Sequence, residues 1–327
     1  MFSTICWAIL TFGLLLGAGW LTWRALHARK RWVKIAGGMA GAAATLLLAA
    51  ITFFAGRGVA AIYFPPAATA PAPMLTVAGT PEQIARGEYL ANISCASCHS
   101  ALGADGRPDR TQTLSGGWNI GAVEGLDFMG DIIVENLTPG GKLAGYTDGE
   151  IFRAIRHGVS KEGHRLAFMP LLPYGQLSDA DTEAIIAYLR TLPAIDTPRA
   201  TGDRINFLGA MLLGSGLLPD PAVQAEMVSA PAPGTTAEYG RYVATFGECR
   251  GCHGADMTGA AATAVTKAYP NPRPFVGALS LAQFIQMMRS GIKPDGVAFP
   301  EGMPWQNASK MNDDDLAALY AYLTAAP

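Results

Sequence analysis

Two five-residue stretches combine the side chains best suited to covalent and metal chemistry. They are Cys95-Ala96-Ser97-Cys98-His99 and Cys249-Arg250-Gly251-Cys252-His253. Two thiols three positions apart can add across the two vinyl groups of a porphyrin and become thioethers. The histidine that follows can then reach the iron from one face. C-x-x-C-H is the attachment signature of a c-type haem. A bare C-x-x-C would also suit a zinc site or a thioredoxin-like redox centre. Here each pair carries its own histidine, and the pairs lie far apart in the chain. Two covalent haem c groups are therefore expected, on Cys95 and Cys98 and on Cys249 and Cys252, with His99 and His253 as axial ligands.

The second axial ligand decides what such an iron can do. A thioether sulfur gives a six-coordinate, high-potential iron suited to electron transfer. An open position would instead admit peroxide or oxygen. Of the 12 methionines, Met169 and Met303 stand apart: each precedes a proline that stiffens its loop, and each lies nine residues before a final helix start. Both are expected as ligands. Met129, Met257, Met287, Met288 and Met311 read as core residues. His157 and His164 compete with Met169, but Ser290 and Val297 hold their places in the second copy. Arg156 and Arg289 match across the copies, and either a haem propionate or a solvated helix end would account for them.

The elements that must position these groups occur twice. Gly87-Glu88-Tyr89-Leu90 precedes the first motif and Gly240-Arg241-Tyr242-Val243 the second. Thr147 with Glu150, and Ser280 with Gln283, predict capping boxes that open helices ending at Gly158 and Gly291. The last helices run from Ser178 and Asn312, and the Met-to-Tyr offset to Tyr188 and Tyr322 is 19 in both copies. These offsets predict domains over 82–195 and 235–327. The first copy is longer through residues 111–145, an insertion that would either shape a docking surface or cover the macrocycle. A proline-rich linker, 196–234, includes Thr197-Pro198, Pro219, Pro221, Pro231 and Pro233. Its apolar segment from Phe207 to Leu213 would pack between the domains or rest on a bilayer or partner.

The first fifth of the chain differs in kind. Charged residues are 15% of the chain, and none occurs in residues 1–23 or 35–56. Each run is about 20 residues, enough to cross a bilayer as a helix. Between them lie Arg24, His27, Arg29, Lys30, Arg31 and Lys34. A signal peptide places its basic residues before the apolar run, so residues 1–62 read as a transmembrane helical hairpin, with Cys6 as a small apolar residue inside it. Basic loops collect on the cytoplasmic side. The termini and everything beyond the hairpin would then lie on the periplasmic or extracellular side of the cytoplasmic membrane, where haem is covalently attached. Residues 63–81, rich in Pro and Ala, read as a semi-extended tether. A net charge of −2 offers no field for nucleic acid.

With C-x-x-C-H, a later Met-Pro and a terminal helix bearing Ala-Tyr-Leu, each copy resembles a class I cytochrome c domain. The resemblance implies a mainly α fold in which the first and last helices cross, bringing Gly87 and Tyr89 near Tyr188. With Asn136-Leu137-Thr138-Pro139 and Ala154-Ile155-Arg156-His157-Gly158, the tandem pair is similar to membrane-bound cytochrome c subunits of periplasmic alcohol, aldehyde and molybdenum-hydroxylase dehydrogenases. Those subunits often carry three haems, and a two-helix anchor is unusual among them. The expectation is a membrane-anchored dihaem cytochrome c that passes single electrons as a subunit of an oxidoreductase complex. Its partners would be lipid and a redox protein: a dehydrogenase, quinol-oxidising complex, reaction centre or terminal oxidase. The rivals are a dihaem peroxidase, a thiosulfate-oxidising cytochrome, and a subunit whose haems only bridge fixed neighbours.

Overall fold

A computed structural model describes residues 2–66, 71–196, 202–217, 224–263, 267–300 and 302–326. Thr197, Pro198, Pro219 and Pro221 of the linker fall outside these residues. The chain opens with two long helices, α1 (Phe2–Leu26) and α2 (Gly38–Tyr63), joined through a short π-helical turn at Val33–Gly37. They lie side by side because small residues line the contact: a Cβ at Gly41 would overlap Thr22, and one at Gly38 would overlap Leu26. The Thr22 and Thr45 hydroxyls meet at 3.1 Å, and both also lie within hydrogen-bond reach of the carbonyls one turn back. Polar groups satisfied within the pair suit a medium without water. Thr4–Leu26 and Val33–Tyr63 are long and apolar enough to cross a membrane.

The first repeat begins with α3 (Pro81–Ser94), opened by a capping box of Thr80 and Gln83 with Pro81 in the first turn. The short α4 (Ala96–His99) carries the first motif. The insertion forms β1 (Trp118–Asn119), α5 (Ile120–Val123), β2 (Gly130–Asp131) and β3 (Ile133–Val134). β1 pairs antiparallel with β3, and β2 with β4 (Arg204–Ile205) from the linker. Then come α6 (Asp148–His157), α7 (Asp179–Thr191) and, in the linker, α8 (Phe207–Ser215). The second repeat runs α9 (Ala237–Phe246), α10 (Cys249–His253), α11 (Arg273–Gly277), α12 (Leu281–Ser290), α13 (Trp305–Ala308) and α14 (Asp313–Thr324).

The capping boxes at Thr147/Glu150 and Ser280/Gln283 form, and Gly158 and Gly291 end their helices in the left-handed conformation. α3 crosses α7 at Gly87, where a Cβ would overlap the Ala184 carbonyl and Tyr188; α9 crosses α14 at Gly240, against Ala318 and Tyr322. Only glycine permits so close a backbone approach. Gly240→Ala is expected to cost about 1–3 kcal/mol by forcing the helices apart. Thermal unfolding of the haem-loaded protein checks this, and an unchanged Tm would mean the crossing yields freely.

Gly87 meets Tyr188 as expected, and Tyr89 also reaches beyond its own repeat. Its hydroxyl donates to Asp315 Oδ2 at 2.6 Å and accepts from the Asn312 amide at 3.0 Å, both in the other repeat. Tyr242 returns the contact, donating to Asp181 Oδ2 at 2.7 Å and accepting from the Ser178 amide at 2.9 Å. Each first-helix tyrosine thus binds the N-terminus of the other domain's last helix, in a two-fold-like exchange. Burial and the neighbouring carboxylates raise both phenols well above their usual range, so both stay protonated donors. Ser94 Oγ adds a bond of 2.6 Å to the Phe246 carbonyl, and the two repeats share one hydrophobic core.

Two other segments differ from the sequence reading. Residues 71–80 form no regular element, but they do not swing free. The Val77 amide donates to Asp148 Oδ2 at 3.0 Å, and Leu75 and Val77 pack beside Ile151 and Phe152. The apolar segment that became α8 does not lie between the domains. It packs along α2, with Ala210 against Gly58 and Gly214 against Phe54. The sequence could not weigh these because both depend on partners more than 70 residues away.

Candidate haem sites

Each motif opens into a cavity within its own repeat. Cys95, Cys98, His99 and Met169 line the first; Cys249, Cys252, His253 and Met303 line the second. The expected ligand sets therefore converge, although Cys98 and Met169 lie 71 positions apart in the chain. His157 and His164 line neither cavity. Met257, Met287 and Met288 pack in the core and form part of the second cavity's wall, and Met129 and Met311 are buried elsewhere.

The chemistry of the donors fits a haem. Nδ1 of His99 lies 2.8 Å from the Glu135 carbonyl, and Nδ1 of His253 lies 2.8 Å from the Pro270 carbonyl. A carbonyl only accepts, so each Nδ1 carries the proton and each Nε2 keeps its lone pair for a metal. Burial lowers the pKa of His99 further, favouring the neutral imidazole. Burial pushes the thiols of Cys95 and Cys249 up to about 12 and Cys98 to about 11. Zinc or disulfide exchange needs thiolates, which these sites disfavour; a thioether carries no charge to bury. The walls are apolar, with Leu172, Leu177 and Ile185 in the first cavity and Phe284, Leu319 and Leu323 in the second.

The matched arginines have a different place from the propionate contact considered above. Arg156 Nη2 donates to Asp179 at 2.7 Å and Arg289 Nη2 to Asp313 at 2.6 Å, each an acid in the first turn of a last helix. Neither arginine lines either of these two cavities. The cations that do are Lys142 in the first and Lys267 and Lys293 in the second. These lysines escaped the sequence reading because they do not match across the copies.

Glu248 escaped it as well. It stands just before the second motif, and its backbone adopts φ 62°, unusual for a side chain other than glycine. Ser97, inside the first motif, donates to its Oε1 at 3.5 Å, and Asn307 Nδ2 donates to its Oε2 at 2.8 Å. Arg110 in turn donates to Asn307 Oδ1. The two attachment motifs thus meet through one hydrogen bond. The 111–145 insertion closes the first cavity, with Ile120, Ile132, Ile133 and Val134 in its wall.

Comparison with known proteins agrees with this geometry. Residues 84–193 match the family described as cytochrome c, and residues 236–323 match that of cytochrome c oxidase, cbb3-type, subunit III. The chain carries two cytochrome c domains in tandem. A "Diheme cytochrome c-type" protein of Cereibacter sphaeroides is 29% identical over 76% of this chain and 88% of its own length. The cytochrome c subunit of a quinone-linked alcohol dehydrogenase from Gluconacetobacter polyoxogenes is 29% identical over 35% of the chain. The gluconate 2-dehydrogenase cytochrome c subunit of Pantoea cypripedii is 33% identical over 32%. The chain spans 25% and 22% of the length of these last two. This cytochrome is a dihaem protein, with one covalently attached haem c for each domain. Its work is electron transfer.

Proposed function

We propose that this cytochrome c is anchored in the cytoplasmic membrane by α1 and α2 and relays single electrons on the periplasmic side. Cys95 and Cys98 would hold one haem and Cys249 and Cys252 the other. His99 with Met169, and His253 with Met303, would be the axial ligands. Lys142, Lys267 and Lys293 would face the propionates. The haems supply one-electron redox chemistry; the protein orients them, excludes water and fixes their separation. The observation that carries the reading is the hydrogen bond between Ser97 and Glu248, which brings the attachment points of both haems together across the domain boundary. A relay needs that proximity. The basic turn from Arg24 to Lys34 supports the orientation, since it favours the cytoplasmic side.

The partner proposed is a membrane dehydrogenase, because relatives that match about a third of the chain are named as cytochrome subunits of alcohol, gluconate and fructose dehydrogenases. Affinity purification from mildly solubilised membranes, with mass spectrometry of what accompanies the protein, tests this. A dehydrogenase catalytic subunit is expected in the eluate. Recovery of a terminal oxidase or a quinol-oxidising complex in its place would overturn the assignment.

A further inference from the structure

The anchor holds a third apolar helix whose outward side meets little else among the described residues, with Leu208 about half exposed. α8 has no charged residue between Arg204 and Asp220. Its single hydroxyl, on Ser215, is spent on the Leu212 carbonyl at 2.8 Å. Its inner side is committed: Ala210 meets Gly58, Gly214 meets Phe54, and Gly209 meets the Met129 carbonyl. Leu208 and Leu217 stay 48% and 47% exposed, and Phe128, beside the start of the helix, is 48% exposed.

The direction of α8 decides what covers that side. Its first residue lies at the outer end of the hairpin: Phe207 packs on Trp7 at 6.3 Å between ring centroids, and Thr4 donates to the Ile205 carbonyl at 2.7 Å. From there it runs antiparallel to α2, and Gly214 reaches Phe54, nine residues before the end of α2. At 1.5 Å per residue that is roughly 14 Å along the span. Trp is common at the boundary between bilayer and water, so a helix starting beside Trp7 and running inward enters the acyl-chain region. A helix can do so because its backbone groups are satisfied internally.

We propose that α8 is inserted in the outer leaflet and that lipid acyl chains cover Leu208 and Leu217, with Phe128 at the headgroup level. The proposal rests on the anchor reading of α1 and α2. It makes the first domain a seated body in place of one on a tether. Asn206 ties α8 to the insertion, its backbone amide donating to the Met129 carbonyl and its Nδ2 to that of Phe128, both at 2.9 Å. Ile132, in the wall of the first cavity, belongs to the same cluster as Ile62, Ile205 and Ala210. The first haem is therefore the one seated beside the anchor.

The test uses the purified, haem-loaded protein with Cys6→Ser, reconstituted in phosphatidylcholine–phosphatidylglycerol vesicles without any partner protein. The four haem cysteines are consumed as thioethers. Single cysteines are introduced as Leu208→Cys, Leu217→Cys, Leu14→Cys in α1 and Val297→Cys in the second domain, and an impermeant maleimide is added. Each variant must keep the parental haem spectrum, and two positions, Leu208 in α8 and Leu217 just past its end, guard against one failing to fold. Reaction at Val297→Cys defines the outward-facing population. Leu208→Cys and Leu217→Cys are expected to react at least about tenfold more slowly, because lipid raises a thiol's pKa and excludes the reagent. Fast reaction at both Leu208→Cys and Leu217→Cys with Leu14→Cys protected would overturn the lipid seat and leave the anchor standing. Fast reaction at Leu14→Cys as well would overturn the anchor and the seat together.

Discussion

Met303→Ala should lower the potential of one haem by on the order of a hundred millivolts or more, and Met169→Ala should do the same to the other. Axial ligands set haem potentials over a range of about 0.8 V, and thioether sulfur lies toward the high end because it favours the ferrous state. Each methionine lines only its own cavity, and the cavities belong to different domains. The unsubstituted haem should therefore keep a potential close to its original value. A second change should accompany the first: the altered haem alone should bind cyanide readily. A mediated redox titration followed by a cyanide titration reads both. Equal shifts in both haems, or no shift, would mean the sulfurs are not ligands.

The second large effect concerns Glu248. Burial pushes its carboxyl up to about 8 from the usual 4.5, with the Arg110 guanidinium and the Asn307 and Ser97 donors only partly offsetting it. Below that range it is held neutral between the two attachment motifs. An ionised Glu248 favours the oxidised haem, whose charge is more positive, so its pKa should be lower in the oxidised protein than in the reduced one. The potential of the adjacent haem should then fall as pH rises through the region around 8, by up to about 59 mV per unit, the one-electron equivalent of a tenfold change in equilibrium constant. Stability follows the same proton. The folded state holds it more tightly than the unfolded chain, so this contribution is full below about 4.5 and is lost as pH rises through about 8. Glu248→Gln should flatten both dependences while keeping the bond from Ser97. A slope that survives the substitution would place the proton elsewhere.

Much of the site was legible because its signals are local or repeated. Two thiols and an imidazole in five residues define an attachment point without tertiary information. The offsets from Met169 and Met303 to their last helices survive because both copies keep the same element lengths. The capping boxes are readable because their partners sit three residues apart. What the sequence hid depends on distance. Tyr89 and Tyr242 look like equivalent core residues, and only the docked pair of domains shows that each binds the other's last helix. Arg156 and Arg289 match across the copies in sequence, but a positive side chain at a helix end could face a propionate or an aspartate equally well. The destination of α8 was hidden because an apolar run of nine residues carries no address; the residues that receive it, Phe54 and Gly58, lie about 150 positions earlier in the chain. Glu248 has no counterpart before the first motif, where Ser94 stands, so comparing the copies could not raise it.

The measurement that bears most directly on this account is a haem count on the purified chain. Acidified acetone first removes any haem that is not covalently held, and the pyridine haemochrome of the remainder is then read against the polypeptide concentration. Two haems per chain, with none in the extract, is the result expected of Cys95, Cys98, Cys249 and Cys252 acting as two thioether pairs. One haem per chain, or haem that leaves with the solvent, would contradict it.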